Sequence, residues 1–327
     1  MKKRRLGVEG PEVPAIGLGC MGMSIQYGEI DEDKSIDTIQ YALDIGLNLL
    51  NTADMYGNGR NETLISSAIE NRRNEVIINT KFGNVINPDG SRSKNGRPEY
   101  VRQACDKSLQ RLRTDYIDIY SQHRVDPEVP IEETVGAMAR LIEEGKVRYI
   151  GLSEAAPETI RRAHKESPIT CVETEYSLWT RDVEAEILPL CEELGISLIP
   201  YAPLGRGFLT GTIKSSDDLN EADRRRAHPR FFEENIKKNK VKVAIIESIA
   251  EKNGLKPAQI ALAWVLSKNN QIVPIPGTKH RKYLDENIRA IDVNLTDEEI
   301  KLLEKTFPAG ETVGERYPVG EMKHLGL

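Results

Sequence analysis

Eight short apolar runs recur along the chain, separated by stretches with helical spacing. They are AIGLG (15–19), LNLLN (47–51), VIINTK (76–81), YIDIYS (116–121), RYIGLS (148–153), TCVETEY (170–176), ISLIPY (196–201) and QIVPIP (271–276). Runs of five to seven residues with this make-up suit strands buried on both faces. Between them, DEDKSIDTIQYALDIG (31–46) opens on acids and closes on glycine, a start and a stop signal. YVRQACDKSLQRLR (100–113) puts Val101, Ala104, Cys105, Leu109 and Leu112 on one stripe. IEETVGAMARLIEEGK (131–146) and DVEAEILPLCEELG (182–195) also run out at glycine, and PAQIALAWVLSKN (257–269) starts on proline, which suits a first helical turn. Strand and helix alternating in this way predict parallel strands with crossover helices. The 327 residues accommodate a closed α/β (β/α)8 TIM barrel; a doubly wound open sheet is the alternative. With no internal repeat, low-complexity tract or linker, residues 1–327 read as a single domain. The polar gap at 205–238 is expected to be a long loop over the barrel mouth, and the tail after Thr306 a second cover for that face.

Composition narrows the partners. At 39% apolar and 29% charged residues the chain can bury a sizeable core. A net charge of −6 argues against nucleic acid. The basic runs KKRR (2–5) and Arg224–Arg226 are too short to reverse that and read as solvated faces. Four cysteines without a C-x-x-C pair suggest reduced thiols in a cytoplasmic protein. The basic start is not followed by the apolar segment of a signal peptide, and no run is long enough to cross a membrane. Five scattered histidines without H-x-x-x-H spacing give no expectation of a metal. The G-x-G-x-x-G and G-x-x-x-x-G-K-[ST] phosphate loops are absent, although GRGFLTG (205–211) is glycine-rich after a strand.

A barrel builds its active site at the C-terminal ends of its strands. There the chain carries Asn51, Asp54 and Tyr56, then Lys81, then Gln122, His123 and Arg124. Further on come Ser153 and Glu154, then Glu173, Glu175 and Tyr176, then Tyr201, then PIPGTK (274–279). Taken singly, the tyrosine reads as packing, the lysine as an ion-pair partner and the histidine as a structural hydrogen bonder. Taken together at three neighbouring strand ends, Tyr56, Lys81 and His123 form a proton-transfer set. A phenol is a weak acid at neutral pH, and an ammonium beside it is expected to lower its pKa. His123 would orient a carbonyl, and the three would stabilise a developing alkoxide.

IGLGCMGMS, NTADMYG, TKFG, QHRVD, EGKVRYIGLSE, EYSLW, PYAPLGRGFLTG and PIPGTK…LDEN follow one another over nearly the whole chain. In this order they resemble the aldo-keto reductases, and among them the bacterial and plant branch that includes perakine reductase. The resemblance implies a (β/α)8 barrel, NADPH/NADP as cofactor and a small-molecule aldehyde or ketone as substrate. It implies Tyr56 as proton donor, Lys81 as its pKa-lowering partner and His123 as the carbonyl-orienting residue. It also implies Ser153 at the nicotinamide carboxamide, Tyr201 stacked on the nicotinamide, and Cys20 and Met21 beside its ribose. Leu204, Arg206 and Gly207 would embrace the pyrophosphate. Gly277, Thr278, Lys279 and Lys282 would meet the 2′-phosphate, and Glu286 and Asn287 the adenine.

Two positions depart from the family pattern. Asn51 stands where the family has a catalytic aspartate, and Glu173 where it has a carboxamide-binding glutamine. Asn51 carries no charge, so Lys81 is expected to lose its counter-ion and the reductase activity to be weakened, with cofactor binding kept. Glu173 puts the carboxamide contact in question, since a carboxylate accepts but does not donate. Asn51 also leaves open a non-catalytic, NADPH-binding regulatory member of the family. A Schiff-base lyase working through Lys81 is a third option, because barrels host that chemistry too.

Overall fold

Seven of the eight apolar runs become strands, which we label β1 (Leu18–Gly19), β2 (Leu49–Asn51), β3 (Ile77–Phe82), β4 (Ile117–Gln122), β5 (Val147–Ser153), β6 (Ile169–Glu175) and β7 (Ser197–Tyr201). They come from a computed structural model that describes residues 1–327 except 26, 29, 88 and 90. The strands lie side by side in chain order, every pair parallel. The eighth run, 271–276, forms no regular strand, because Pro274 and Pro276 have no N–H to give to a ladder. It still closes the ring with the groups it has. Val273 and Ile275 donate to Leu198 O and Pro200 O at 2.9 and 3.0 Å, while Gly17 and Gly19 donate to Pro274 O and Pro276 O at 2.9 and 3.2 Å. A side chain at Gly19 would bring its Cβ to 2.8 Å from Ile275 O, so this approach requires glycine. The architecture is therefore the closed α/β TIM-type barrel, and the open-sheet alternative falls.

The helices are α1 (Glu32–Asp44), α2 (Arg60–Ala68), α3 (Pro98–Leu112), α4 (Ile131–Glu143), α5 (Pro157–Glu166), α6 (Ile187–Leu194), α7 (Glu233–Lys252) and α8 (Pro257–Ser267), which lie in the crossovers, and α9 (Arg281–Arg289), α10 (Asp297–Thr306) and α11 (Val319–Met322), which follow the eighth run. Local chemistry sets their ends. The Asp31 side chain caps α1 by accepting from Lys34 N, and Gly46 ends that segment at φ +84°. α10 starts on a capping box made by Thr296 and Glu299. α6 begins later than its spacing suggested: residues 182–184 form a separate 3-10 turn before it.

Two apolar layers hold the barrel. Inside it, Leu49, Ile119, Cys171 and Val273, from alternate strands, pack with Ile199 and Ile275. Leu6 and Val13, from the antiparallel hairpin Lys3–Arg5 and Glu12–Pro14, plug its floor. The larger cluster lies between strands and helices. Each fully buried Ile or Leu contributes about 1.5–3 kcal/mol. Among the described residues no helix is long and apolar enough to cross a membrane, and all four cysteines are free and buried.

Candidate active site

The loop after β2 stays stitched to β3 beyond the end of the strand. Thr52 N donates to Asn79 O at 2.8 Å and Asp54 N to Lys81 O at 3.0 Å, which fixes how Tyr56 is presented. Lys81 is fully buried. Its ammonium donates to Asn51 Oδ1 and Thr52 O, both at 2.8 Å, and lies 3.2 Å from Glu173 Oε1. Asn51 Nδ2 donates to Glu173 Oε2 at 2.7 Å. Lys81, Asn51 and Glu173 thus form a closed triangle across β3, β2 and β6.

This overturns one expectation: Lys81 has not lost its counter-ion, because a carboxylate reaches it from β6. It also removes the Schiff-base option. The ammonium is enclosed beneath the cavity, its donors are engaged, and Lys81 is absent from the cavity wall.

Tyr56 sits above the triangle, with the Lys81 ammonium 5.3 Å from its ring centroid. Burial, and after it the Glu173 carboxylate, hold the phenol well above its ordinary pKa of 10.0. The expected lowering by Lys81 is therefore not the net result, and Tyr56 keeps its proton at neutral pH. The His123 ring meets Tyr56 edge-on, with centroids 5.7 Å apart at 84°. Burial, followed by Lys81, Arg124 and Lys94, pushes the imidazole well below its ordinary 6.5, so it is neutral. Burial and the neighbouring Glu62 carboxylate raise Asp54 to about 7.

Tyr56 and His123 open onto a cavity of about 930 Å3 at the C-terminal end of the barrel, within the range of pockets that enclose most of a ligand. Asn51, Ser153, Glu173 and Tyr201 line it, with Leu204, Arg206 and Gly207 on one rim. Gly277, Thr278, Lys279, Lys282, Glu286 and Asn287 form another part of the wall, and Met21 joins from the first loop. Cys20, by contrast, is fully buried and turns its thiol toward Leu18 O, so of that pair only Met21 reaches the cavity.

A model of the aldo/keto reductase family matches residues 15–307. The chain belongs to that family. This aldo/keto reductase is 48% identical over 320 residues to the probable aldo-keto reductase 1 of Glycine max, covering 96% of this chain and 91% of that one. It is 44% identical over 314 residues to the NADP(+) aldo-keto reductase yakc of Schizosaccharomyces pombe, covering 94% and 92%. Among solved structures, a glycerol dehydrogenase from Gluconobacter oxydans superposes with a TM-score of 0.84 at 27% identity, over 93% of this chain and 94% of that one.

Several mouth residues of this aldo/keto reductase were not among the candidates read from the sequence. Tyr201 is pinned through its hydroxyl. It donates to Glu154 Oε1 at 2.8 Å and lies 3.0 Å from the hydroxyl of Tyr317. Arg316 reaches the same Glu154 oxygen at 2.5 Å and the Tyr201 hydroxyl at 3.0 Å. The tail after Thr306 therefore does cover the mouth, and it anchors the Tyr201 hydroxyl. Glu175 at the end of β6 gathers Arg206, Arg316 and Arg230. Burial opposes its charge, but these guanidinium groups hold its pKa at about 2. Arg206 is thus tied to Glu175 and stacked over Tyr317, while its backbone and that of Gly205 and Gly207 are left-handed in sequence. Glu154 and Glu175 were visible as strand-end acids; Arg316 and Tyr317 had no local signal.

Proposed function

We propose that this chain is an NADP(H)-dependent reductase of aldehydes and ketones, working as a single barrel domain with Tyr56 as proton donor. The observation that carries this reading is the protonated Tyr56 beside neutral His123, over a buried ammonium–carboxylate pair, at the wall of a long cavity. That cavity suits a dinucleotide. Tyr201 offers a ring held fixed from its far edge, a geometry made for stacking on a flat ring. Lys279 and Lys282 lie on the wall near Glu286 and Asn287, where the cations fit a 2′-phosphate. NADPH, when bound, supplies hydride to the carbonyl carbon.

The chain's residues supply the rest. His123, neutral, donates a hydrogen bond to the carbonyl oxygen and sets its direction. As negative charge grows on that oxygen it becomes far more basic than a phenolate, so the Tyr56 proton moves downhill to it. Solvent then returns a proton to Tyr56. The barrel wall excludes water beneath, where Lys81 holds positive charge against the tyrosinate formed in the step.

The expected impairment by Asn51 rested on an unpaired Lys81. With Glu173 in contact, we propose that activity is kept. The free, buried cysteines support a cytoplasmic setting, and motif order alone supports the branch that includes perakine reductase.

The test is NADPH oxidation with a panel of aldehydes, run on the wild type and on Tyr56→Phe. Turnover should appear with the wild type and fall roughly 10²–10⁴-fold in the variant, with NADPH still bound. Tight NADPH binding without turnover on any aldehyde would instead make this a non-catalytic, cofactor-binding family member.

A further inference from the structure

We infer that Glu173 is the counter-ion on which the Lys81–Tyr56 pair depends, and that Asn51 orients it. Glu173 is thus a positioning residue rather than a contact for the nicotinamide carboxamide. This rests on the reductase reading above and deepens it.

The geometry is specific. Lys81 is fully buried, and a buried ammonium without an opposite charge sheds its proton. Burial is the largest influence on Lys81 and pulls its pKa down; the Glu173 carboxylate is the largest influence pulling it back. Among the described residues Glu173 is the carboxylate that forms an ion pair with Lys81. Its two oxygens are divided: Oε1 faces Lys81 at 3.2 Å and Oε2 accepts from Asn51 at 2.7 Å. Asn51 does two things at once, accepting from Lys81 through Oδ1 and donating to Glu173 through Nδ2. An amide suits this bridge, because a carboxylate at position 51 could accept from Lys81 but not donate to Glu173. The reverse assignment satisfies the triangle equally well: a carboxylate at 51 accepting from Lys81, and an amide at 173 donating to it. The site therefore holds one negative charge that either residue can carry, and in this chain it stands on β6.

That placement also acts on Tyr56. Glu173 is the second influence, after burial, that keeps the phenol protonated. One carboxylate thus favours the charged lysine and the loaded proton donor together.

The experiment uses full-length Glu173→Gln, Asn51→Asp and the Asn51→Asp/Glu173→Gln double variant. kcat for aldehyde reduction is read at saturating NADPH, with NADPH affinity by fluorescence and melting temperature alongside. Glu173→Gln should lower kcat by roughly tenfold or more, the effect of about one pKa unit in the proton-transfer set. The double variant should recover most of that loss and regain the melting temperature. If glutamine at 173 instead served the carboxamide, Glu173→Gln would keep kcat and bind NADPH at least as well; that result overturns the inference. A kcat loss that Asn51→Asp fails to rescue overturns it too. Should Glu173→Gln not fold, a folded and active double variant supports the inference and an inactive one overturns it. If the wild type itself lacks turnover, the reductase reading fails. The melting temperatures then still decide the ion pair: restored stability in the double variant supports it, and no restoration removes it.

Discussion

His123 and Tyr56 respond to the same burial in opposite ways, since burial disfavours whichever form is charged. The imidazole is driven well below 6.5 and the phenol well above 10.0. For the proposed reduction, the active form needs Tyr56 protonated, His123 neutral and Lys81 charged. His123 becomes neutral as pH rises past its lowered pKa, and Tyr56 stays protonated until pH passes its raised one. Neither group should therefore place a limb on kcat between about pH 6.5 and 8, measured at saturating NADPH, and a fall on the alkaline side belongs to Lys81, whose pKa burial lowers. A limb near pH 6.5 would contradict the direction given for His123. At this scale, the sequence showed Asn51, Tyr56, Lys81 and His123 through their places at strand ends. It did not show that Glu173 pairs with Lys81, because the partners lie on β3 and β6, on opposite sides of the barrel interior. A glutamate in a cofactor position reads as a lost contact until its neighbour is known.

Among elements, the apolar runs predicted seven strands correctly because burial on both faces leaves a plain signal. The eighth run was read as a strand and forms an irregular one-residue-at-a-time closure, since its prolines remove two donors. The gap at 205–238 contains a chain of 3-10 turns and the start of α7 at Glu233. Such short turns carry no 3.6-residue period to detect. One side of the mouth is built from the antiparallel pair Asn84–Ile86 and Arg92–Lys94 together with α11. Arg124 faces it beside His123, its guanidinium donating to His123 O at 2.7 Å and Ser153 Oγ at 3.2 Å, both uncharged acceptors. Burial is the main cause that lowers Lys94 to about 8, and the nearby Arg124 and Arg92 add to it, so three cations stand together on this side of the mouth. An aldehyde bearing a carboxylate should accordingly have a higher kcat/KM than its neutral analogue. The 4-carboxybenzaldehyde to 4-methylbenzaldehyde ratio should exceed one and fall by about tenfold in Arg124→Gln, the order of a charge-assisted hydrogen bond. A ratio that does not change in the variant would show that these cations do not meet the substrate.

The molecule as a whole joins residues that are far apart in the chain. Arg316 reaches Glu154 across 162 positions, and the tail's Tyr317 meets Tyr201 across 116. Such contacts leave no local pattern, so only the polar tail itself was legible as a cover for the mouth. The barrel, by contrast, was legible because its alternation repeats along the whole chain. In the proposed reaction this barrel moves hydride from NADPH to a carbonyl carbon while Tyr56 protonates the oxygen. The direct measurement is transfer of deuterium from 4-deuterated NADPH into the product alcohol, in the wild type and in Tyr56→Phe under single-turnover conditions. One deuterium should appear on the carbinol carbon with the wild type and almost none over the same interval with the variant. Equal labelling in both, or no label in either, would contradict the account.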